Sequence, residues 1–391
     1  MNDMERSGSI PVSALHEVHR EVGACGPGTI ALHVGEAHIG IPERAREAFI
    51  EALRQGRSSY CDAPGLAVLR ERLAETVSAR TATDVDPDLV FVTPGSCQAI
   101  SAVLASIARD GASVLLPDIH WPMHLHQILM HGLRPRFYSL TSLEEDPSGT
   151  LDHASDGSVR AIIVCSPSNP TGQVLRQETV ERIHEWSLAH GAWVLSDEAY
   201  EDFVFEGEPA RMAAIDARLP ERDRIVFSIR TFSKSYSMTG YRLGYAIAPN
   251  RERAGRLLRV QEATLVAPCT PVQYAGLAAL ECTDHVAEHH RYVRGTRDAV
   301  LALLAEEQLA WIAPQGGWYV ILTLGRYTRN AQSFCRRMLA ETGVAIAPGE
   351  SFGPPGHKEA PYLARLAFCR EREFTLEGVR RIVDYVRSTG R

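Results

Sequence analysis

Several common features are absent from this 391-residue chain, and each absence removes a class of protein. No uninterrupted apolar run approaches the roughly 20 residues of a membrane-spanning helix, so we expect no membrane partner. The formal net charge of −7 would not attract nucleic acid, which we also exclude as a partner. The opening residues lack the apolar core of a secretory signal. The eight cysteines include no CxxC pair, which is typical of reduced thiols and predicts a cytoplasmic location.

What the chain does contain is an alternation of short apolar runs and amphipathic stretches. The runs that read as strands are DLVFVTP, ASVLLP, RAIIVCSP, AWVLSDEAY, RIVFSIR and YRLGYAIAP. Strands that are apolar on both faces and separated by helices indicate an α/β fold with a mostly parallel sheet. From about residue 285, longer charged helices and the runs GGWYVILTL and YLARLAF indicate a smaller α+β domain. We therefore predict a large domain at 45–284 and a small domain built from 1–44 and 285–391.

Most of the predicted strands of the large domain are followed by polar, aromatic or glycine-rich residues. The segments that follow them are TPGSCQ, IHWPMH, PSNPTG, DEAY and TFSK. Ligands of open α/β sheets bind outside the carboxyl ends of the strands. We therefore expect these segments to form one shared site.

The turn at residues 95–97 leads into a predicted helix and could offer backbone N–H groups to a phosphate. Most turns of this kind are simply turns, so the motif is weak alone. The hydroxyls of Thr231 and Ser233 and the guanidinium of Arg242 could complete a phosphate site. A lone arginine is more often a surface ion pair.

Four further residues have both a structural and a chemical interpretation. Asp197 ends an apolar strand, where a carboxylate costs several kcal/mol, by order of magnitude, unless it is paired. It is either a helix cap or salt-bridge partner, or the counter-ion of a cationic heterocycle. Asn169 is either a turn residue or a partner of a phenolic oxygen on that ring, which Tyr200 could also reach. Trp121 is either core or a flat surface for an aromatic ring.

Taken together and in this order, these residues resemble the pyridoxal-phosphate-dependent aminotransferases of fold type I, class I/II. The matching segments are Gly95-Ser96, Trp121, NPTG at 169–172, DEAY at 197–200, TFSK at 231–234 and Arg242. Flanking matches are VGE near Gly35, Tyr60 followed by PGLAVLR, PQGGWY, VAIAPGESFG and Arg365. The resemblance covers nearly the whole chain and implies a seven-stranded sheet in the large domain.

The resemblance also implies pyridoxal 5′-phosphate as the cofactor and a role for each matching residue. Lys234 is the Schiff-base lysine and proton shuttle, Asp197 pairs with the ring nitrogen, and Trp121 stacks on the ring. Asn169 and Tyr200 hold the phenolic oxygen. The implied phosphate ligands are Gly95, Ser96, Cys97, Thr231, Ser233 and Arg242, together with Tyr60 from the neighbouring subunit of a homodimer. The implied substrate ligands are Gly35, Asn169 and Arg365, the last through the α-carboxylate.

The activity implied is transfer of an amino group from an α-amino acid to a 2-oxo acid by a ping-pong mechanism. Another reaction of the same cofactor remains open as an alternative: β-elimination, β- or γ-replacement, or oxidative deamination. A regulator that binds the cofactor only as an effector is disfavoured, because the chain has no spare length for a DNA-binding domain.

The chain departs from the family pattern in ways that bear on the site. GEAHIG lacks the proline that relatives commonly place after the glutamate, which leaves the substrate open. Cys97 stands where Gln, Thr or Met is more usual. The histidines of HWPMHLH have no third ligand cluster, so we predict no metal. His289 and His290 lie in a charged helix, where we expect solvated surface.

Overall fold

The protein is described by a computed structural model that covers residues 10–26 and 28–389. Residues 1–9, 27 and 390–391 of the predicted small domain lie outside the described residues. The helices are α1 (Ala14–Ala24), α2 (Glu43–Arg54), α3 (Ala67–Thr81), α4 (Gly95–Ile107), α5 (Pro122–Met130), α6 (Leu140–Glu145), α7 (Pro147–Ala154), α8 (Gln177–His190), α9 (Met212–Asp216), α10 (Phe232–Ser235), α11 (Arg251–Thr264), α12 (Thr270–Ala279), α13 (Thr283–Glu306), α14 (Ala331–Thr342) and α15 (Arg372–Thr389). The strands are β1 (Ile30–Ala31), β2 (Val90–Thr93), β3 (Ser113–Pro117), β4 (Arg134–Tyr138), β5 (Val159–Cys165), β6 (Trp193–Asp197), β7 (Val226–Thr231), β8 (Gly244–Ile247), β9 (Trp311–Ile312), β10 (Tyr319–Thr323), β11 (Val344–Ala345), β12 (Ala347–Pro348) and β13 (Leu363–Ala367).

The largest sheet has seven strands in the order β2-β8-β7-β6-β5-β3-β4. The five strands from β7 to β4 run parallel, while β8 runs antiparallel to both β7 and β2. The predicted α/β class with a mostly parallel seven-stranded sheet is therefore confirmed.

Both faces of this sheet are buried, because alternate residues of each central strand enter different apolar clusters. In β5, Ile163 packs into the cluster that includes α4 and α12, whereas Ile162 packs into the cluster that includes α8. In β6, Leu195 and Val194 divide in the same way. Period-two packing on two covered faces is the physical reason why these strands read as continuous apolar runs.

The C-terminal part contains a second sheet, in the order β12-β13-β10-β9, with antiparallel pairs. Strand β1 pairs in parallel with β11, which joins the N-terminal segment to the C-terminal part. We retain the division into 45–284 and 1–44 plus 285–391 as a proposal. A separate apolar cluster that combines β1 with α13 to α15 supports it, although both boundaries fall inside a helix, α2 and α13.

Two features of the large sheet could not be seen in the sequence. Strand β4, RPRFY, lies at the sheet edge and is half exposed, so it lacks the apolar run that marks the central strands. The reversed direction of β8 leaves no trace in its pattern of side chains, since all four of its residues are buried.

Within the described residues, no helix has the length and apolar character needed to cross a bilayer.

Candidate active site

A cavity of about 300 Å³ lies where β5, β6 and β7 end, since the last residue of each strand borders it. Most residues that the sequence singled out line it: Gly35, Ser96, Cys97, Trp121, Asn169, Asp197, Tyr200, Thr231, Ser233, Lys234, Arg242 and Arg365. Six others complete the lining: Leu15, Val34, Cys165, Ala199, Thr239 and Tyr319. The strand ends therefore do converge on one site, as expected for an open α/β sheet.

Two of the predicted residues do not line the cavity. Tyr60 is 86% exposed on the outside of the chain. Gly95 lies behind Ser96, with a φ of +78°, and a Cβ added there would lie 2.6 Å from Nη2 of Arg242. The glycine is thus required both by its left-handed backbone and by the close approach of the guanidinium.

Lys234 lies in the short helix α10, which begins directly after β7. Thr231, the last residue of β7, caps this helix, since its side-chain oxygen accepts a hydrogen bond from the Ser233 amide at 3.1 Å. The Nζ of Lys234 donates to the carbonyl of Gly35 at 3.2 Å and lies 4.5 Å from the centre of the Trp318 ring. The amine is therefore held inside the cavity by contacts from the N-terminal segment and from the residue that precedes β10.

Asp197 is 4% exposed and has two partners in the structure. The Nε2 of His124 lies 2.9 Å from Oδ2 of Asp197, and the Ala199 amide lies 3.2 Å from Oδ1. His124 is itself buried in α5 and packs edge-on against Trp121, with ring centroids 5.2 Å apart. A buried carboxylate oriented by an imidazole is well suited to pair with a cationic ring nitrogen.

His124 is a residue that the sequence interpretation missed. The HWPMHLH cluster was considered only as a metal site, but the ring of His124 is turned towards Asp197. Its signal was its position three residues after Trp121, the N-cap of α5, which places His124 in the first turn of that helix, against the tryptophan ring. Among the described residues, no group of three or more His, Cys, Asp or Glu side chains is arranged to hold a metal ion.

The N-terminus of α4 forms one end of the cavity. Arg242 crosses this end, donating from Nη1 to the Thr239 carbonyl at 2.9 Å and from Nη2 to the Pro94 carbonyl at 3.4 Å. A Cβ added to Gly244 would lie 2.7 Å from the Ser96 nitrogen, so only glycine lets β8 pass so close to α4. The hydroxyl groups of Thr231 and Ser233 lie 2.9 Å apart beside this end. Backbone N–H groups, hydroxyls and a guanidinium together form an anion site.

Arg365 forms the opposite end of the cavity and is 2% exposed. Its Nη1 donates to Oδ1 of Asn169 at 2.9 Å, and its Nη2 donates to the His33 carbonyl at 2.6 Å. The guanidinium carbon lies 4.0 Å from the ring centre of Tyr319 and 4.5 Å from that of Phe352. Burial lowers the pKa of Arg365, and the nearby tyrosines act in the opposite direction. The guanidinium is therefore fixed in one orientation before any ligand arrives.

Tyr200 and Asn169 lie between these two ends. The hydroxyl of Tyr200 lies 3.2 Å from that of Tyr319, and burial raises the pKa of Tyr200 well above its ordinary value. The hydroxyl therefore stays protonated at neutral pH and can donate a hydrogen bond. Because Asn169 uses its oxygen to accept from Arg365, the NH₂ group is the part that can donate into the cavity.

Cys97 and His289 carry corrections or refinements of the sequence interpretation. The amide of Gln127 donates to the Cys97 carbonyl at 2.7 Å and lies 3.1 Å from its sulfur, and burial raises the pKa of the thiol.

The expectation of a solvated His289 is wrong: the side chain is fully buried, with its ring 5.4 Å from Trp318 and 5.0 Å from Phe203. It lies on the buried face of α13 with Val293 and Val300, a face that the charged residues between them concealed.

The residues of the cavity fit a phosphorylated, cationic aldehyde cofactor. An anion site, a buried carboxylate, a tryptophan ring and an amine are arranged along one cavity, in the chemistry that pyridoxal 5′-phosphate requires. The space next to Gly95 and Gly244, which a single Cβ would fill, lies at the end of the cavity that suits the phosphate.

Comparisons with known proteins agree with this fit. The sequence profile of the family described as aminotransferase class I and II matches residues 27–374. A probable aspartate/prephenate aminotransferase of Aquifex aeolicus is 30% identical over 386 residues, covering 95% of this chain and 94% of that protein. A (5-formylfuran-3-yl)methyl phosphate transaminase of Methanocaldococcus jannaschii is 30% identical, covering 92% of each chain. The solved structure of an aspartate aminotransferase from Thermotoga maritima has a TM-score of 0.90 at 28% identity, covering 98% of this chain and 100% of that chain.

The structural likeness confirms the fold-type-I prediction, and the family match confirms pyridoxal 5′-phosphate as the cofactor. Relatives that are equally similar carry names with different substrates. The family therefore fixes the kind of reaction and the cofactor, while the substrate must be argued from this chain's own residues. On these grounds the chain belongs to the class I and II aminotransferases, enzymes that use pyridoxal 5′-phosphate to transfer amino groups.

Proposed function

We propose that the chain moves an amino group from an α-amino acid to a 2-oxo acid in a ping-pong cycle. The observation that carries the proposal is that the Lys234 amine, the Asp197 carboxylate and the Arg365 guanidinium all border one cavity. Pyridoxal 5′-phosphate, when bound, supplies an electron sink that stabilises negative charge at the substrate Cα. The remaining tasks fall to side chains of the protein.

The phosphate would be held at the α4 end by Ser96, Cys97, Thr231, Ser233 and Arg242, with Gly95 leaving room for the guanidinium. The ring nitrogen would face Asp197, which His124 orients at 2.9 Å. The phenolic oxygen would accept from the hydroxyl of Tyr200 and the NH₂ group of Asn169. Trp121 borders the same cavity and offers its ring face.

Lys234 has two tasks in this proposal. Its amine would hold the cofactor through the aldehyde group, and the free amine would move the proton at the substrate Cα. The hydrogen bond to the Gly35 carbonyl and the Trp318 ring keep Nζ at the substrate side of the cavity. A mobile but confined amine is what a proton shuttle requires.

Arg365 binds the α-carboxylate of the substrate through a planar fork. Among the described residues that line the cavity, it is the guanidinium remote from the phosphate end. Donor and acceptor both carry this carboxylate, so they must use Arg365 in turn. Alternating occupancy of one fork is the structural basis for ping-pong kinetics.

Tyr60 is proposed to reach the phosphate of a second copy of the chain, in a homodimer. The segment around Tyr60 is held against the start of α12, where the Thr270 hydroxyl donates to the Ser59 carbonyl at 2.8 Å. The tyrosine itself is 86% exposed. Light scattering that gives the mass of one chain would contradict the dimer.

A cytoplasmic location remains a prediction from the cysteine pattern.

A donor screen tests the reaction. The holoenzyme is supplied with single amino acids and a 2-oxo acid, and mass spectrometry follows both keto and amino products. We expect one new keto acid for each new amino acid and no ammonia. Release of ammonia, or oxygen uptake, in step with product would contradict transamination and favour elimination or oxidative deamination.

The chain offers a matched pair of variants for the same screen, because Lys234 and Lys358 are its only lysines. Lys234→Ala should lower the rate on the order of a thousandfold or more, since it removes both the covalent link and the proton shuttle. Lys358→Ala, at an exposed loop position, should leave the rate within about twofold.

A further inference from the structure

The cations that line the cavity limit the substrates it can bind. Among the described lining residues, the positively charged side chains are Lys234, Arg242 and Arg365. Each one already has a position that suits a task in the proposed reaction. A second carboxylate, such as that of an aspartate or glutamate side chain, would need a fourth positively charged side chain.

Neither arginine can turn to serve a second carboxylate, and Lys234 is assigned to the cofactor and the Cα proton. Arg242 is anchored across the N-terminus of α4 by the carbonyls of Thr239 and Pro94. Arg365 is held by Asn169 and the His33 carbonyl, and two aromatic rings enclose its guanidinium. A buried guanidinium that is stacked and hydrogen-bonded at both ends has no free rotamer to spare.

The rest of the lining on the substrate side is uncharged. Leu15 comes from the first turn of α1, and Val34 precedes Gly35, whose carbonyl accepts from Lys234. Both side chains are apolar, and both belong to the N-terminal segment that passes next to the Lys234 amine. The further lining residues outside the proposed cofactor and substrate ligands are Cys165, Ala199, Thr239 and Tyr319. Among these described residues, a carboxylate on the substrate side chain would find no positive charge to pair with.

Charged groups just behind the lining do not change this conclusion. Burial, reinforced by neighbouring cations, lowers the pKa of His33 to about 4, so its ring is neutral at pH 7. Arg370 is paired with the carboxylate of Glu36 at 3.1 Å. The remaining charge on the lining is the anionic Asp197, which would repel a second carboxylate.

We propose that the amino donor and the 2-oxo acceptor of this enzyme carry uncharged, mainly apolar side chains, and that aspartate and glutamate are poor donors. This inference rests on the proposed function, because it assigns the α-carboxylate to Arg365 and the Cα to the neighbourhood of Lys234. Moving a carboxylate from water into a site without a cationic partner is strongly unfavourable. Discrimination of about a hundredfold between equally long apolar and acidic side chains is therefore expected.

Two unreactive acids of matched shape provide the test: 5-methylhexanoate, with an isopropyl end, and glutarate, with a second carboxylate in its place. Titration calorimetry on the holoenzyme measures their dissociation constants without any turnover. We expect 5-methylhexanoate to bind at least about tenfold more tightly than glutarate, because its end group matches Leu15 and Val34. Tighter binding of glutarate would overturn the inference and would show that a cation reaches the cavity, from a second subunit for example.

A pair of variants tests whether the apolar wall formed by Leu15 and Val34 contacts the substrate side chain. Leu15→Lys places an amine at the apolar wall, and we expect it to raise the relative affinity for glutarate by about tenfold. Leu15→Met, of similar length and without charge, should keep the native order of the two acids. An unchanged preference in Leu15→Lys would overturn the assignment of this wall to the substrate side chain.

The same protein preparations separate this inference from the proposed function. If the acids bind in the expected order but no amino acid yields a keto acid, the proposed function fails and the character of the wall stands. If aspartate proves a better donor than leucine in the screen, the reaction stands and the substrate class is overturned.

Discussion

The two ends of the cavity come from different parts of the chain and carry different chemistry. The cofactor end is made by strand ends of the large sheet and the first turn of α4, and its lining is polar or charged, with Arg242 and Asp197 as its ions. The substrate end is made by the N-terminal segment and the antiparallel sheet, with apolar walls at Leu15 and Val34 around the single guanidinium of Arg365. In the proposed function, the first end binds the cofactor and the second end determines which substrates bind.

The cofactor end is rigid because backbone geometry enforces it. Gly95 and Gly244 stand where any side chain would collide with Arg242 or with the Ser96 nitrogen. The substrate end depends instead on side chains that approach from far apart in sequence, such as Arg365 and Asn169, 196 residues apart. Substitutions at the cofactor end should therefore abolish chemistry, whereas those at the substrate end should alter binding and selectivity.

Of the two variants that compare the ends, the larger effect is expected from Asp197→Asn at the cofactor end. The amide keeps the shape but loses the negative charge that would hold a ring nitrogen cationic, so kcat should fall on the order of 10²–10³-fold. Steady-state rates at saturating substrate measure it. A matched control is Asp216→Asn, in a second buried His–Asp pair with His184 at 2.8 Å, outside the cavity lining. The control should lower Tm and leave kcat within about threefold. Equal losses of kcat in both variants would refute the special role of Asp197.

A smaller and different effect is expected from Arg365→Lys at the substrate end. Lysine cannot reproduce the planar fork, so KM for the amino donor should rise by about tenfold to a hundredfold with a lesser change in kcat. Initial rates against donor concentration separate the two parameters. Arg297→Lys replaces another buried arginine, which pairs with Glu206 and Asp298 away from the cavity, and should leave KM unchanged. A fall in kcat with KM unaltered in Arg365→Lys would erase the distinction between the two ends.

The contrast between the ends also explains what the sequence could reveal. The cofactor end was predictable because its residues lie in short contiguous motifs at strand ends, such as TFSK and DEAY, and each motif enters the cavity as expected. The number of strands needed the resemblance, and the strand order needed the structure. So did β4, because an exposed edge strand has no apolar signature.

The substrate end was much less predictable. Leu15, Val34 and Tyr319 reach the cavity that Lys234 lines only through packing between separate parts of the chain, and an apolar residue in a helix gives no signal of this. His124 and His289 were misjudged for the same reason. His289 lies in a charged stretch and His124 lies between two other histidines of HWPMHLH, while the contacts of the two buried rings, with Asp197 for His124 and with Trp318 for His289, come from distant parts of the chain.

The central claim is that the amine of Lys234 bonds covalently to the cofactor beside Asp197, and one measurement tests it directly. The holoenzyme is reduced with borohydride, digested, and mapped by mass spectrometry for a phosphopyridoxyl group. The account predicts this mass on the peptide that contains Lys234 and none on the peptide with the exposed Lys358, the only other lysine. A label on Lys358, or reduced cofactor that leaves Lys234 unmodified, would contradict it.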